Sequence, residues 1–282
     1  MIAFNGQYLP AASHGNMRIT DACLGGQWVM GGKWLMTATA QAIIAAFGAE
    51  EGIAVIRRTN DYLNALALTD TTRAQQLAMF INEDPLLVCS LVETSKTRWL
   101  EAPNKDAWID TGWIPRGEDF EIETIIKLRD TSGWSQVYAT IWTDNGIDHM
   151  YSGVNTYFHT AGKSNTSGFT AYQVDTPYRI VHNYTTISRG ILGGTMQQVN
   201  TSATADFTTS LTLKLFHGDN YNNFNGYMQM FIRRQGGIDV QHLCPFTRNG
   251  ENGMLDIISG TFYPNANTQG SFTIAITDKT HA

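Results

Sequence analysis

The sequence predicts a mainly β protein: an antiparallel β-sandwich over residues 95–282, preceded by a small α+β unit over residues 1–94. Three observations predict it. Beyond Ser95 the apolar residues recur with a period of two, turn-forming clusters interrupt them at short intervals, and no long helical pattern intervenes. At 282 residues and 43% hydrophobic composition, the chain can bury one large β core and a small companion.

The first elements follow from local signals. In residues 26–36 two short apolar runs flank Gly31-Gly32, and glycine supplies the positive φ of a two-residue hairpin turn. Residues 39–47 are rich in Ala, set Ile43, Ile44 and Phe47 on one helical face, and meet Gly48 where a C-cap belongs. That is a short helix. Residues 53–56 read as a strand. Asp70 or Thr71 caps a second helix carrying Leu77, Phe80 and Ile81, which Pro85 stops. The apolar run at 86–92 reads as a buried strand.

The β elements come next. From Phe120 to Leu128, alternation puts Phe120, Ile122, Ile126 and Leu128 on the core face and Glu121, Glu123 and Lys127 on the other. The same arithmetic assigns to the core Val137 and Ile141, then Leu211, Leu213 and Leu215, then Met228, Met230 and Ile232, and finally Phe272, Ile274 and Ile276. Asn145-Gly146, after Ile141-Trp142, is a hairpin signal, and residues 161–168 and 219–226 have the composition of loops.

Charge and cysteine usage narrow the partners. A net charge of −6 gives no general attraction to phosphate backbones or anionic lipid, so neither nucleic acid nor membrane is an expected partner. Arg57-Arg58 and Arg233-Arg234 are only pairs, as solvated strand-edge charges are. Cys23, Cys89 and Cys244 are odd in number and widely spaced, which predicts free thiols in a reducing cytoplasm rather than a disulfide framework or a zinc site. The first residues lack the basic start and long apolar run of a signal peptide.

Two segments carry more than a generic sandwich. One holds Trp99-Leu100-Glu101, then Trp108-Ile109-Asp110-Thr111-Gly112-Trp113 and Pro115; the other holds Pro245, Arg248-Asn249-Gly250, Gly253-Met254, Asp256, Gly260, Phe262-Tyr263, Asn265, Gly270 and Phe272, after a strand at 226–232. Their order resembles the opening and closing signatures of the concanavalin A-like, laminin-G-like jelly roll of bacteriophage virion proteins. Asn104-Lys105-Asp106-Ala107 replaces the family's glycine-containing turn. Physically these residues specify turns: Asp110-Thr111-Gly112 can close a strand with an Asx-type turn, and Asn249-Gly250 and Asn252-Gly253 tolerate positive φ.

The resemblance implies a non-enzymatic structural protein of a tailed phage particle, as capsid decoration, head fibre or tail component. Residues 1–94 would attach it to other virion proteins, and the jelly roll would bind host-surface glycan or protein. It further implies assembly in the host bacterial cytoplasm and a homo-oligomer or repeated lattice copies. An architectural adaptor and a glycan-degrading hydrolase on the same fold are the alternatives.

Hydrolysis of a glycan needs paired carboxylates, and Glu121 and Glu123 share a face. The hydrolases of this fold add a third acid, where this chain has Ile125-Ile126. Trp134, Tyr138 and Trp142 recur at spacings of four, which places them on one strand face as a platform for sugar rings, or as packing against a second layer. Asp144 and Asp148 offer oxygen ligands for calcium, although the count falls short of a calcium loop. No other cofactor is expected. His149, His159, His182 and His217 are scattered, as polar strand and loop residues are.

Overall fold

The computed structural model describes residues 34–103, 107–140, 146–152, 155–161, 163–165, 169–201, 203, 206–217, 224–268 and 270–279, with the backbone of 3–4, 7–8, 22–24 and 27–29. The chain divides into two compact units, one of Met1–Arg98 with Ile276–His281 and one of Trp99–Ala275.

In the first unit, β1 (Ala3–Phe4) pairs β2 (Gln7–Tyr8), and β3 (Ala22–Leu24) pairs β4 (Gln27–Val29). Residues 27–29 therefore do enter a hairpin, but with the strand before them; Gly31-Gly32 lies outside the described residues. Helix α1 (Thr37–Phe47) ends as predicted at Gly48, whose φ of 81° lets its N–H reach Ile44 O. Helix α3 (Thr71–Glu83) is capped by Asp70, which accepts from Arg73 N at 2.9 Å, and it stops before Pro85.

Two strand expectations fail. Residues 53–56 lie inside α2 (Ala49–Thr69), where Ile53, Ile56, Thr59, Asn60 and Leu63 recur at three and four residues to make one buried stripe. Residues 86–92 form a 3-10 turn (Pro85–Leu87) and the short α4 (Val88–Leu91). Short runs rich in Ile, Val and Leu suit either element when buried, and periodicity cannot separate them. Helices α1 and α2 cross closely at Gly52, where an added Cβ would lie 2.6 Å from Ile44 Cα. No helix among the described residues is long and apolar enough to cross a membrane.

The remaining strands are β5 (Lys96–Glu101), β6 (Ile109–Asp110), β7 (Glu121–Leu128), β8 (Trp134–Ala139), β9 (Ile147–Ser152), β10 (Asn155–Thr160), β11 (Lys163–Asn165), β12 (Pro177–Asn183), β13 (Thr186–Ile191), β14 (Gln197–Asn200), β15 (Lys214–Leu215), β16 (Gly226–Gln235), β17 (Ile238–Arg248), β18 (Glu251–Asp256), β19 (Phe262–Tyr263) and β20 (Thr273–Asp278). They form two antiparallel sheets. The smaller has the order β11-β10-β9-β8-β15-β6; the larger runs β14-β13-β12-β7-β16-β17-β18-β19, with β5 beside β16 and β20 beside β5. This is the predicted sandwich, and its core joins Ile122, Ile126, Leu128, Ile180, Met228 and Phe231 to Tyr138, Tyr151, Phe158, Leu213 and Leu215.

The alternation in β7 holds, and that in β16 does not. Between Met228 and Met230 the register against β7 shifts by one residue, so Met228 opposes Ile126 while Phe231 opposes Thr124. The extra residue, Gln229, is a β-bulge that sends Phe231 inward and leaves Met230 and Ile232 on the opposite face. Leu211 and Ile276, also predicted for the core, are 37% and 39% exposed. Ile141 lies outside the described residues.

The turns explain much of the two signature segments. Asp110 Oδ1 accepts from Gly112 N at 3.0 Å, closing β6 as expected. Asn249 and Gly250 take φ of 52° and 82° and join β17 to β18 as a tight hairpin. Asn252-Gly253, by contrast, lies within β18, and Gly253 is there because any Cβ would come within 2.3 Å of Tyr263 O. Cys89 and Cys244 are buried, and neither is in a disulfide among the described residues.

Candidate functional site

Of the predicted aromatic platform, the Trp134 side chain and Trp142 lie outside the described residues, and Tyr138 faces the core. Its side chain is fully enclosed, with the phenol oxygen 2.9 Å from His182 Nδ1. A register shift between Gln136 and Tyr138 breaks the alternation that placed it outward, and Val137 is buried as well. Tyr138 is thus a packing residue, closed to a sugar.

Glu121 and Glu123 do share the outer face of the large sheet, but arginines hold both. Arg179 Nε donates to Glu123 Oε1 at 2.6 Å, and Arg234 Nη1 donates to Glu121 Oε1 at 2.5 Å and Glu123 Oε2 at 2.8 Å. Arg234 Nε reaches Asp239 Oδ1 at 2.7 Å. Burial works to raise the Glu123 pKa, but the hydrogen bonds from Arg179 and then Arg234 overcome it and leave the carboxyl below its usual range. A carboxylate fixed in this way is a poor proton donor, so Glu123 is ill suited to the acid role that glycoside hydrolysis requires. Arg234, expected at a solvated edge, is the centre of the network.

Asp144 lies outside the described residues. Asp148 is buried and directs Oδ1 to His159 Nδ1 at 2.5 Å, while its Oδ2 has no hydrogen-bond partner among the described residues. Burial raises the Asp148 pKa, with the His159 contact opposing. Among the described residues no group of three His, Cys, Asp or Glu is placed to hold a metal ion.

A concave site forms at one end of the sandwich. Three separate segments build it: the approach to β7 (Glu118, Asp119, Phe120), the β12–β13 hairpin (Asn183, Tyr184, Thr185), and the β16–β17 turn with Arg234. The cleft measures about 280 Å³. Gly236 and Gly237 take φ of 57° and 75°, as a two-residue primed turn demands, and Gly236 N donates to Asp119 Oδ1 at 3.0 Å, tying two of the segments together. Asn183 Oδ1 accepts from the backbone N–H and the hydroxyl of Thr185 and Thr186 at 2.8–3.1 Å, which holds the hairpin and leaves only its amide nitrogen for a ligand. The Tyr184 ring is buttressed edge-on by Phe207 at 6.0 Å. Burial, then the Glu118 and Asp206 carboxylates, push its phenol pKa up. The Tyr184 ring is packed in the core and only 9% exposed, so a phenol edge, an amide and carboxylates line the recess, and such groups suit a polyhydroxylated ligand.

Of the cleft residues the sequence marks only Phe120, as core, Glu121, as an outer-face strand carboxylate, and Arg234, as a strand-edge charge; Glu118, Asp119, Asn183, Tyr184 and Thr185 carry no local signal. Two of the four histidines depart from the expectation of ordinary polar strand and loop positions. His182 and His149 are fully buried between the sheets: His182 Nε2 lies 2.7 Å from Thr160 Oγ1, His149 Nε2 lies 2.9 Å from Tyr172 Oη, and His149 stacks on Phe158 at 4.2 Å. Arg189, also enclosed, donates to Thr156 Oγ1 and Thr170 O and sits 4.1 Å from the Tyr172 ring.

No family model matches the chain, and no curated protein sequence matches it. Solved structures do. A Bacteroides ovatus protein assigned to carbohydrate binding is similar at 10% identity and a TM-score of 0.42, over 65% of this chain and 60% of that one. A heptameric serum amyloid P-like pentraxin of Limulus polyphemus is similar at 7% identity and 0.38, over 66% and 97%. Domains LG4–5 of the mouse laminin α1 chain are similar at 8% and 0.33, over 51% and 40%. This chain therefore spans less than two thirds of the first and the third.

Proposed function

We propose that this protein is a non-enzymatic binding module that recognises a glycan through the cleft of Tyr184, Asn183, Glu118 and Asp119. The observation that carries the reading is the cleft itself: side chains from three distant segments converge on it, two of them pinned by the Asp119–Gly236 hydrogen bond. Sugars offer hydroxyls to amides, carboxylates and phenols, and this recess supplies all three kinds of partner. The commitment of Glu121 and Glu123 to arginines supports binding over hydrolysis. The signature segments at 98–115 and 226–272 favour display on a tailed-phage particle, with the N-terminal unit as the attachment.

A glycan array of bacterial surface saccharides, probed with the full chain, tests the binding. Binding that weakens measurably in Tyr184→Phe, which keeps the core ring, and in the exposed Glu118→Ala supports the reading. Release of reducing ends that stops in Glu123→Gln overturns it in favour of a hydrolase. Mass spectrometry of purified virions that lack the chain sinks the particle assignment.

A further inference from the structure

A half-buried guanidinium stands unused on the inner face of the large sheet. Arg233 follows the core residue Phe231 by two positions in β16, so it points between the sheets. Its charged group lies 5.1 Å from the Trp113 ring, which in turn packs on Phe120 at 5.9 Å. Among the described residues it makes no hydrogen bond or ion pair, and its Nε is enclosed without a partner. Burial pushes its pKa down, with Tyr263 and Asp256 opposing. The Asp256 carboxylate is spent elsewhere: Oδ1 accepts from His242 N at 2.9 Å and Ile258 N at 3.0 Å, and Oδ2 from Ser259 Oγ at 2.7 Å.

Directly opposite Arg233 in the ladder stands Gln241, only 4% exposed. Its amide nitrogen donates to Thr111 O at 3.1 Å and Tyr263 Oη at 3.0 Å. A backbone carbonyl only accepts, so the amide orientation is fixed, and Oε1 is left buried without a donor. Tyr263 accepts from Gln241 and keeps its own O–H proton for a further acceptor. Donors on Arg233 and Tyr263 thus flank a buried acceptor on Gln241, and buried polar groups are costly to leave unmatched.

We propose that Arg233, Gln241 and Tyr263 form a second binding site, one that takes the carboxylate of an acidic sugar. A guanidinium held flat against an indole presents its edge for two parallel bonds to a carboxylate. Tyr263 donates to the same group, and a hydroxyl on the adjoining ring carbon donates to Gln241 Oε1. This site is separate from the Tyr184 cleft and does not rest on the reading given for it.

Calorimetric titration of the full chain at pH 7 tests this with three probes: a galacturonic acid oligosaccharide, its methyl ester, and inorganic phosphate. The acid is expected to bind about tenfold tighter than the ester, and tighter than phosphate. Arg233→Met, which breaks no hydrogen bond of the folded protein, is expected to abolish that margin with circular dichroism unchanged. Arg233→Lys keeps the charge but loses the fork, recovers only part of the margin, and carries the test if the methionine variant does not fold. Equal binding of acid and ester, or a margin that survives both substitutions, overturns the site. Phosphate binding as tight as that of the acid overturns the assignment to a sugar acid. A margin lost in Glu118→Ala and kept in Arg233→Met places the ligand in the cleft and refutes this proposal, whereas glycan binding indifferent to Tyr184→Phe and Glu118→Ala strikes the cleft reading alone.

Discussion

The phenol oxygen of Tyr138 lies 2.9 Å from Nδ1 of His182, and both side chains are fully enclosed between the two sheets. Tyr138 comes from the small sheet and His182 from the large one. Removing the hydroxyl leaves a buried ring nitrogen without its partner, which costs about 1–3 kcal/mol. Tyr138→Phe is therefore expected to lower the urea midpoint of the β unit without changing its circular dichroism; an unchanged midpoint would show that the bond is energetically silent.

Acid acts on the same place. Burial holds the His182 pKa down to about 3, and burial first, then the Arg189 and His182 charges, holds that of His149 well below its usual value. The folded protein keeps both rings neutral, whereas the unfolded chain protonates them near 6.5. Their stabilising contribution is fully present above pH 6.5 and drains as pH falls from there towards 3. The limiting slope is about 1.4 kcal/mol per pH unit for each ring. Denaturation midpoints between pH 7.5 and 4.5 are expected to fall steeply, and less steeply in His182→Asn; a flat profile contradicts this.

The arginine network predicts unequal costs for its members. Arg234→Met strands Glu121 and half of Glu123 and is expected to destabilise by about 3 kcal/mol. Glu123→Gln keeps a polar group in place, with Arg234 still on Glu121 and Asp239, so about 1–2 kcal/mol is expected. Because the Glu123 pKa is lowered on folding, this contribution holds above about pH 4.5 and is lost as pH falls below it. Chemical denaturation of both variants at pH 7 and pH 4 checks the order, and its reversal refutes the account.

Gly52→Ala pits two effects against each other. Alanine gains about 1 kcal/mol of helix propensity. Its Cβ would stand 2.6 Å from the Ile44 backbone, and separating α1 from α2 costs about 1–3 kcal/mol. The net expectation is a loss, read as a lower thermal midpoint; a raised midpoint means that the crossing is looser than described.

The sequence was legible where one physical constraint acted alone. Strand β7 has one face in the core, so Phe120, Ile122, Ile126 and Leu128 announce it by alternation. Gln229 hides a bulge in a run that still alternates on paper, so Met230 and Ile232 exchanged faces with Phe231. Ile53 and Ile56 satisfy strand and helix patterns alike over so short a run. The cleft was invisible for another reason: Glu118, Tyr184 and Gly236 meet only because β7, β12 and β16 are neighbours in the sheet, and no local pattern records that adjacency. The buried imidazoles are similarly products of long-range pairing, since Tyr138 and His182 are 44 residues apart.

The polar pairs that cross from one sheet to the other also bear on mechanics. Two sheets meeting through aliphatic groups alone can slip by small steps, since one methyl contact replaces another at little loss. Here Tyr138 and Thr160 grip His182, and Thr156 grips Arg189, through bonds that weaken steeply with a small displacement. They act as dowels, fixing the lateral alignment of the layers. Under a shearing load such a sandwich holds without creep and then gives way in a single event.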